Sequence, residues 1–330
     1  MILAGDIGGT NSRLILVDEQ GGELKTIARA DFKSRLYEDL LPIVKQFMHE
    51  EGGADLLIHA ACFAVAGPVQ GQQANITNLP WSLDAAELSQ QLGYPVRLMN
   101  DFQGVGYGIE VLQQEDMLVL QQGEPVETGT RVLIGAGTGL GMALMVYANG
   151  EYTVLPSEGG HAEFGPQDSL DLELYHYLYD KLGRLSNEHI LSGQGLVRLY
   201  EFYRDRADTT ESATVRQAMS QQDPAAAISE AALQGSDPVS QQALAHFIKI
   251  YGAVAGNLAL TCLAKGGVYI AGGIAAKVAA KLAEPGFMHA FCDKGAMHSL
   301  MQTIPVKLIT NTQVGLLGAA HYAQRVTSNQ

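Results

Sequence analysis

The chain has 330 residues, of which 47% are hydrophobic and 17% charged. This length and composition predict a folded protein of about two domains and exclude intrinsic disorder for the chain as a whole. The formal net charge is −14, and a field of that sign repels phosphate backbones and anionic lipid headgroups. We therefore expect no nucleic acid and no membrane as partners, and any anionic ligand should be held by backbone N–H groups and a bound cation.

The three cysteines, Cys62, Cys262 and Cys292, lie far apart and form no C-x-x-C pair. This pattern favours a protein of the reducing cytosol over a disulfide-bonded or zinc-binding one. The N-terminus lacks the basic region and apolar stretch of a secretion signal, so we expect a cytoplasmic protein. Residues 132–150 carry no charge, but glycines interrupt them, which argues against a membrane span.

Hydrophobic alternation, helical spacing and turn residues predict an α/β chain. In the first part these signals predict a hairpin of strands 2–6 and 13–17, a helix up to Glu50 with a late start or kink at Pro42, a strand 59–66, a helix capped by Ser82 that stops at Gly93, and a strand 96–99 that ends at Asn100-Asp101. In the second part they predict a glycine-rich hairpin from Arg131, a helix around 170–178, short exposed helices within 221–240, a buried helix 244–262, strands 268–271 and 305–309, and a last helix from Val314.

The two hairpins are similar in sequence. Residues 3–10 align with residues 133–140 at an offset of 130, and in each a strand enters a glycine-rich turn and leaves as an apolar strand. This internal similarity predicts two related halves, each presenting a turn towards a shared cleft.

Several common motifs are absent from the sequence. It has no Gly-Lys dipeptide, no strict G-x-G-x-x-G, no pair of histidines four residues apart and no G-x-S-x-G. These absences disfavour P-loop, Rossmann, zinc-protease and α/β-hydrolase interpretations.

The two turns, Asp6-Ile7-Gly8-Gly9-Thr10-Asn11 and residues 135–141, are candidate phosphate sites. Successive glycine, threonine and asparagine residues can direct several backbone N–H groups towards one anion. Asp6 would repel phosphate directly, so it is better suited to hold the water shell of Mg²⁺. An ordinary hairpin turn is the alternative for either motif alone.

Two further groups of polar residues are candidates for chemistry. Asn100-Asp101 follows a strand, where open α/β sheets bind ligands, and a carboxylate there suits proton abstraction from an alcohol. Glu158, His161 and Glu188 offer the directional donors and acceptors that grip vicinal hydroxyls. The alternatives are an Asx turn at Asn100-Asp101, a turn histidine at His161 and an acid of a helix first turn at Glu188.

The order of these motifs resembles that of bacterial glucokinases, members of the sugar kinase, Hsp70 and actin superfamily. Asn78-Leu79-Pro80-Trp81, Leu191-Ser192-Gly193 and Ala271-Gly272-Gly273-Ile274 extend the resemblance, which runs from Gly5 to about Gly318. Each motif is weak alone, and the set is specific. Residues 162–182 contain no cysteine, so the cysteine-rich zinc motif of many relatives is missing and the chain resembles the zinc-free proteobacterial type.

The resemblance implies an α/β protein with the two-domain ribonuclease H-like (actin-like ATPase) fold and an interdomain cleft. Residues 1–112 plus 310–330 would form a small domain and residues 113–309 a large one. The implied function is the phosphorylation of glucose to glucose 6-phosphate by ATP with Mg²⁺, in a homodimer.

The resemblance also implies roles for individual residues, with Asp101 as general base on the 6-hydroxyl and Asp6 holding Mg²⁺ through water. The implied sugar ligands are Asn78, Asn100, Asp101, Glu158, His161 and Glu188. The implied nucleotide ligands are Gly5, Asp6, Ile7, Gly8, Gly9, Thr10, Asn11, Gly135, Gly137, Thr138 and Gly139, with Gly272 and Gly273 near adenosine.

Three alternatives remain open at this point. The chain is a kinase of a related hexose such as mannose or N-acetylglucosamine, a non-catalytic sugar-sensing regulator, or an actin-like or chaperone ATPase without a sugar pocket. A regulator of transcription would need a DNA-binding module, which the net charge of −14 disfavours.

Overall fold

The computed structural model describes residues 1–20, 23–52, 56–206 and 211–328. The chain divides into two compact units. The first holds Met1–Asp116, Tyr152–Pro156 and Asn311–Gln330, and the second holds Met117–Glu151 and Ser157–Thr310. The resemblance implied a division at 112 and 310, with the segment Tyr152–Pro156 in the large domain.

The first unit combines a mixed sheet with helices. Its elements are β1 (Ile2–Ile7), β2 (Asn11–Gln20), β3 (Glu23–Lys33), α1 (Leu40–Phe47), β4 (Ala60–Val65), β5 (Val69–Gln70), β6 (Gln73–Asn75), β7 (Ser82–Asp84), α2 (Ala85–Leu92), β8 (Val96–Asn100), α3 (Asp101–Ile109) and α13 (Val314–Ser328). The main sheet has the order β3-β2-β1-β4-β8. Because β1, β4 and β8 run parallel, Ile7 pairs with Val65 and Val65 with Asn100, so their carboxyl ends share one edge.

Most first-unit predictions are confirmed, with three corrections. The strand β3 and the helix α3 were not predicted, and Ser82 does not cap α2. The cap is Asp84, whose carboxylate accepts from the N–H groups of Ala86 and Glu87. Pro42 causes no break, since it lies in the first turn of α1, where a missing N–H costs nothing.

The second unit holds a second sheet in the order β12-β11-β10-β13-β14-β9. The strands of this sheet are β9 (Met117–Gln121), β10 (Arg131–Ala136), β11 (Leu140–Ala148), β12 (Glu151–Ser157), β13 (Gly267–Ala271) and β14 (Val306–Ile309), and Tyr152–Pro156 of β12 are the residues counted with the first unit. Its helices are α4 (Ser169–Leu182), α5 (Gly193–Arg204), α6 (Ala213–Gln221), α7 (Pro224–Gln234), α8 (Pro238–Cys262), α9 (Gly273–Lys277), α10 (Ala279–Leu282), α11 (Pro285–Cys292) and α12 (His298–Thr303).

The helices predicted within 221–240 are not exposed, which corrects that expectation. Ile228 of α7 is 0% exposed and Val239 of α8 is 0% exposed. The alanine-rich sequence lets these helices pack closely into the core, and composition alone did not reveal it. Among the described residues α8 is the one helix long and apolar enough to cross a membrane, and it is mostly buried within the unit.

The internal similarity of sequence corresponds to a repeat of topology. In the first unit β1 pairs antiparallel with β2 and parallel with β4. In the second, β10 pairs antiparallel with β11 and parallel with β13. Each glycine turn therefore leaves the carboxyl end of an equivalent strand, where open α/β sheets bind ligands.

Candidate active site

Two carboxylates lie at the ligand-binding edge of the first sheet. Asp6 is near the end of β1, and Asp101 begins α3 directly after β8. Burial raises the pKa of Asp101 to about 6. The negative charge of Asp6 also raises this pKa, whereas a hydrogen bond from the Phe102 N–H lowers it. A carboxylate with that pKa is a competent base near neutral pH, since it is mostly ionised yet still accepts a proton.

The ionised form of Asp6 is disfavoured by its surroundings. Burial raises its pKa, Arg13 opposes the rise from 3.5 Å, and Asp31 adds to it. A divalent cation would relieve this cost, and a single hard oxygen ligand beside several waters is what Mg²⁺ prefers. Within the described residues no cluster of three His, Cys, Asp or Glu side chains is placed to hold a metal, so a metal here would depend on waters and on the substrate.

Asn100 is the N-cap of α3. Its Oδ1 accepts from the Phe102 N–H at 2.9 Å, its Nδ2 donates to the Gly67 carbonyl at 3.1 Å, and its own N–H donates to Gln103 Oε1 at 3.1 Å. The Asx turn weighed as the alternative is present, because Asn100 Oδ1 accepts from the N–H two residues on, and here it begins α3 rather than merely ending β8. The capping box fixes the direction in which Asp101 leaves the sheet.

The first glycine turn is packed against Asn78. A Cβ on Gly9 would lie 2.5 Å from the Thr77 carbonyl oxygen and 3.4 Å from Asn78 Cβ. Ser34, fully buried after β3, donates its hydroxyl to the Gly8 carbonyl at 2.7 Å. The turn is thus held by residues that are distant in sequence, and Asn78 lies beside it.

Gly5 and Gly135 lie within strands rather than in the turns. A Cβ on Gly5 would lie 2.7 Å from Phe63 and 2.8 Å from Leu14. Gly5 is therefore a packing residue, whereas in the first turn Gly8 and Gly9 are half-buried and Thr10 is exposed.

The second glycine turn is anchored by two hydrogen bonds. The Gly137 N–H donates to the Gly139 carbonyl at 2.8 Å, and the Gly193 N–H at the start of α5 donates to the Gly137 carbonyl at 2.9 Å. Thr138 at the apex is exposed. The turn therefore presents Thr138 on a fixed backbone.

This turn opens onto a cavity of about 710 Å³ within the second unit. The lining comes from the turn, from α5, from α7 with its N-cap, and from α9: Gly137, Thr138, Gly193, Gln194, Val197, Asp223, Pro224, Ala225, Ala226, Ser229, Gly273, Ile274 and Lys277. The N-termini of α5 and α7 favour anions, because the first N–H groups of a helix carry partial positive charge. Lys277 adds a full positive charge. Because the carboxylate of Asp223 offsets the charge of Lys277, an anionic ligand here would depend mainly on the turn and the helix N-termini.

His161 lies between two glutamates. Its Nε2 is 3.9 Å from Glu158 Oε2 and its Nδ1 is 3.8 Å from Glu188 Oε1. Both distances exceed a hydrogen bond, so His161 is not hydrogen-bonded to either glutamate and its ring nitrogens are not committed to them. Glu188 also accepts from the Leu140 N–H at 2.9 Å, so this polar cluster adjoins the second glycine turn.

Three comparisons with known proteins agree. A family model described as Glucokinase matches residues 3–326. The Nostoc sp. (strain PCC 7120) glucokinase is 46% identical over 99% of each chain, and the Pectobacterium atrosepticum glucokinase is 37% identical over 98% of this chain and 97% of that one. The crystal structure of a glucokinase from an Antarctic psychrotroph has a TM-score of 0.84 and 30% identity over 98% of each chain.

The chain belongs to the glucokinase family. This confirms the predicted resemblance and, with the similarity to solved glucokinases, the actin-like ATPase fold class. The activity of the family, phosphorylation of glucose, is the activity that the sequence predicted. A Streptomyces griseus ROK family glucokinase, in complex with glucose and AMPPNP, is similar in fold, with a TM-score of 0.64 and 22% identity over 98% of this chain and 99% of that one.

Within this glucokinase framework the sequence missed the supports of the site rather than its reactive groups. Gln194 and Asp223 line the cavity but match no motif used above, although Asp223-Pro224 is a helix-start signal that could have placed α7. Ser34 acts on the first turn from the core, where one serine is indistinguishable by sequence from any other.

Proposed function

We propose that this member of the glucokinase family transfers the γ-phosphoryl group of ATP to the 6-hydroxyl of glucose, with Asp101 as the general base. The observation that carries the proposal is the raised pKa of Asp101, about 6, at the edge of the sheet that also carries the first glycine turn. Placing a weak base beside a phosphate-binding turn is what an alcohol nucleophile needs.

The chemical step moves one proton and one phosphoryl group. The 6-hydroxyl gives its proton to the Asp101 carboxylate while its oxygen forms a bond to the γ-phosphorus. The bond between that phosphorus and the β–γ bridging oxygen breaks, and ADP leaves with the electron pair. Asp101 then returns its proton to solvent.

The nucleotide is proposed to lie in the cavity of the second unit. Thr138 supplies a hydroxyl donor, Gly137 and Gly139 hold the turn, and Gly272 and Gly273 border the adenosine end. A volume of about 710 Å³ is in the range of small-molecule sites and is large enough for a nucleoside triphosphate.

Mg²⁺ is proposed to be held by Asp6 through water. The carboxylate fits this role because burial raises its pKa and the ion pair with Arg13, at 3.5 Å, offsets that rise only in part. When bound, Mg²⁺ neutralises phosphate charge during transfer. We expect activity to require Mg²⁺ and no zinc, since no cysteine cluster is available in the sequence.

Asn78, Asn100, Glu158, His161 and Glu188 are proposed sugar ligands in addition to Asp101. Asn100 already uses Oδ1 and Nδ2 within the first unit, so it would contribute chiefly by orienting Asp101. The pairing of His161 with two glutamates supports recognition of adjacent hydroxyls. A cytoplasmic location, a homodimer and the domain division at 112 and 310 remain proposals that rest on the resemblance.

A coupled assay of ADP release tests the function. We expect ATP turnover that depends on glucose and on Mg²⁺. Faster turnover with mannose or N-acetylglucosamine would assign a related hexose kinase instead. Glucose binding without turnover would indicate a sugar-sensing regulator, and sugar-independent ATP hydrolysis would indicate an ATPase of the wider superfamily.

A further inference from the structure

A fully buried hydroxyl lies beneath the second glycine turn. Tyr251, in the middle of α8, is 0% exposed. Its Oη accepts from the Ala136 N–H at 3.2 Å and is 3.2 Å from the Ile134 carbonyl oxygen and 3.4 Å from that of Ala271. Since a phenol has one proton to donate, these two carbonyls share it.

The three backbone groups that Tyr251 contacts belong to the ends of two strands. Ala136 is the last residue of β10, immediately before the turn at Gly137, and Ala271 is the last residue of β13, immediately before Gly272. The pairing of these parallel strands ends at Gly135 and Ala271. The hydroxyl therefore lies where β10 and β13 separate. β10 continues into the turn at Gly137 and β13 into the turn at Gly272-Gly273, and both turns border the cavity.

The two turns also touch each other at this point. Gly272 has φ +92°, and a Cβ there would lie 2.4 Å from the Ala136 carbonyl oxygen. Only glycine allows both the positive φ and this close approach. A shift of the turn at Gly137 would therefore displace the turn at Gly272, unless the ends of β10 and β13 are held in place.

The ring of Tyr251 is fixed independently of its hydroxyl. Phe247 and Phe287 pack edge-on against it, with ring centroids 6.0 and 5.8 Å away. Burial raises the pKa of Tyr251, so the hydroxyl keeps its proton at physiological pH. Phenylalanine at this position would keep the aromatic packing and remove only the hydrogen bonds.

We propose that Tyr251 is a positioning residue for the nucleotide: its hydroxyl joins the ends of β10 and β13 and so sets the spacing between the second glycine turn, Gly137–Gly139, and the turn at Gly272-Gly273. The inference rests on the proposed nucleotide site in this cavity. Tyr251 does not line the cavity and acts only through the backbone of Ala136 and Ala271.

The test is Tyr251→Phe, with glucose-dependent turnover measured first on the wild type to establish the function itself. We expect the KM for ATP to rise about 3–10-fold, the range that loss of one buried hydrogen bond supports. The KM for glucose should change less than the KM for ATP, because the hydroxyl reaches the proposed glucose ligand Glu188 only through Leu140, which pairs with Ala136. Calorimetric titration with AMPPNP should give the same loss of nucleotide affinity without turnover.

Tyr200→Phe is the matched control. Tyr200 is also 0% exposed in the second unit, and its hydroxyl bonds to Glu211 at 3.2 Å, away from both turns. It should lose stability without losing nucleotide affinity. Equal changes in ATP and glucose KM in Tyr251→Phe, or unchanged AMPPNP affinity, would overturn the positioning role. A wild type without ATP-dependent glucose phosphorylation would overturn the proposed function instead.

The wild type provides a second measurement should Tyr251→Phe fail to fold. Residue-resolved amide exchange in the free protein should protect the Ala136 amide far more than that of Thr138, since only the former is bonded to a buried hydroxyl. Equally fast exchange at both amides would contradict the proposal.

Discussion

The two glycine turns share a topology but differ in the charges around them. The first turn, Gly8–Thr10, lies at an edge with the carboxylates Asp6 and Asp101, whose pKa values are both raised. The second turn, Gly137–Gly139, opens onto a cavity bordered by helix N-termini and Lys277. The same backbone unit is thus suited to a cation and proton transfer in one unit and to an anionic ligand in the other, because side chains outside the turn set the local potential.

The turns also differ in what holds them. In the first, the buried hydroxyl of Ser34 reaches a turn carbonyl directly. In the second, Tyr251 reaches the strand ends and the Gly193 N–H reaches the turn. The two hairpins repeat the same strand, turn and strand, but different residues hold each turn. A substitution can therefore alter one turn without altering the other.

The largest expected effect is at the first turn. Asp101→Asn keeps the size of the side chain but cannot accept the proton, so turnover should fall about 10²–10⁴-fold while glucose binding measured by calorimetry survives. The control is Asp39→Asn, because Asp39 caps α1 and asparagine caps a helix equally well. Turnover of Asp101→Asn within a few-fold of wild type would remove the catalytic assignment.

A smaller effect is expected at the second turn. Thr138→Val removes one hydroxyl donor from the nucleotide cavity. The KM for ATP should therefore rise about 3–10-fold, while the KM for glucose should change little. Thr261→Val, an exposed threonine of α8 that bonds only within its helix, is the control. Parallel losses of ATP and glucose affinity would mean that the second turn does not bind phosphate.

The acid limb of the pH profile reports the coupling of Asp6 to Asp101. Turnover should fall as the pH drops through about 6, since Asp101 must be ionised to accept a proton. The charge of Asp6 raises the pKa of Asp101, so Asp6→Asn should move this limb to lower pH in whatever activity remains. A limb that stays in place would show that the two carboxylates do not interact.

The same pKa shift predicts a stability effect. The pKa of Asp101 is raised in the folded protein, so its contribution to stability is complete below about pH 4 and is lost as the pH rises through about 6. Asp101→Asn should therefore unfold at a higher temperature than wild type at pH 7.5, by about 2–4 °C for ~1 kcal/mol, and should show no gain at pH 4. A loss of stability at pH 7.5 would contradict the assigned burial cost.

The smallest effect concerns the support of the first turn. Ser34→Ala removes the hydrogen bond to the Gly8 carbonyl and should cost about 1 kcal/mol in the free energy of unfolding, measured by urea titration. Ser220→Ala, at an exposed serine of α6 that bonds within its helix, should cost much less. Equal costs would mean that Ser34 does not hold the turn.

The sequence by itself determined the order of most elements and the candidate site residues. Alternating strands, glycine turns and the buried α8 have local periodicities, and Asp6, Asp101, Thr138 and His161 stand in motifs that follow one another along the chain. These signals lie within short windows, so they could be interpreted without a structure. The errors fell on β3, α3, the cap of α2 and the burial of the helices within 221–240; at α2 and α3 a single residue, Asp84 or Asn100, decides the boundary.

Only the tertiary structure decided which distant groups act on the turns. Ser34 and Tyr251 are ordinary core residues in sequence, and their hydroxyls become specific because the sheet and α8 place them at a turn carbonyl and at two strand ends. The raised pKa of Asp101 likewise depends on burial at an edge that β1, β4 and β8 form together. Burial and long-range hydrogen bonding arise from packing between elements, and no local pattern of residues encodes them.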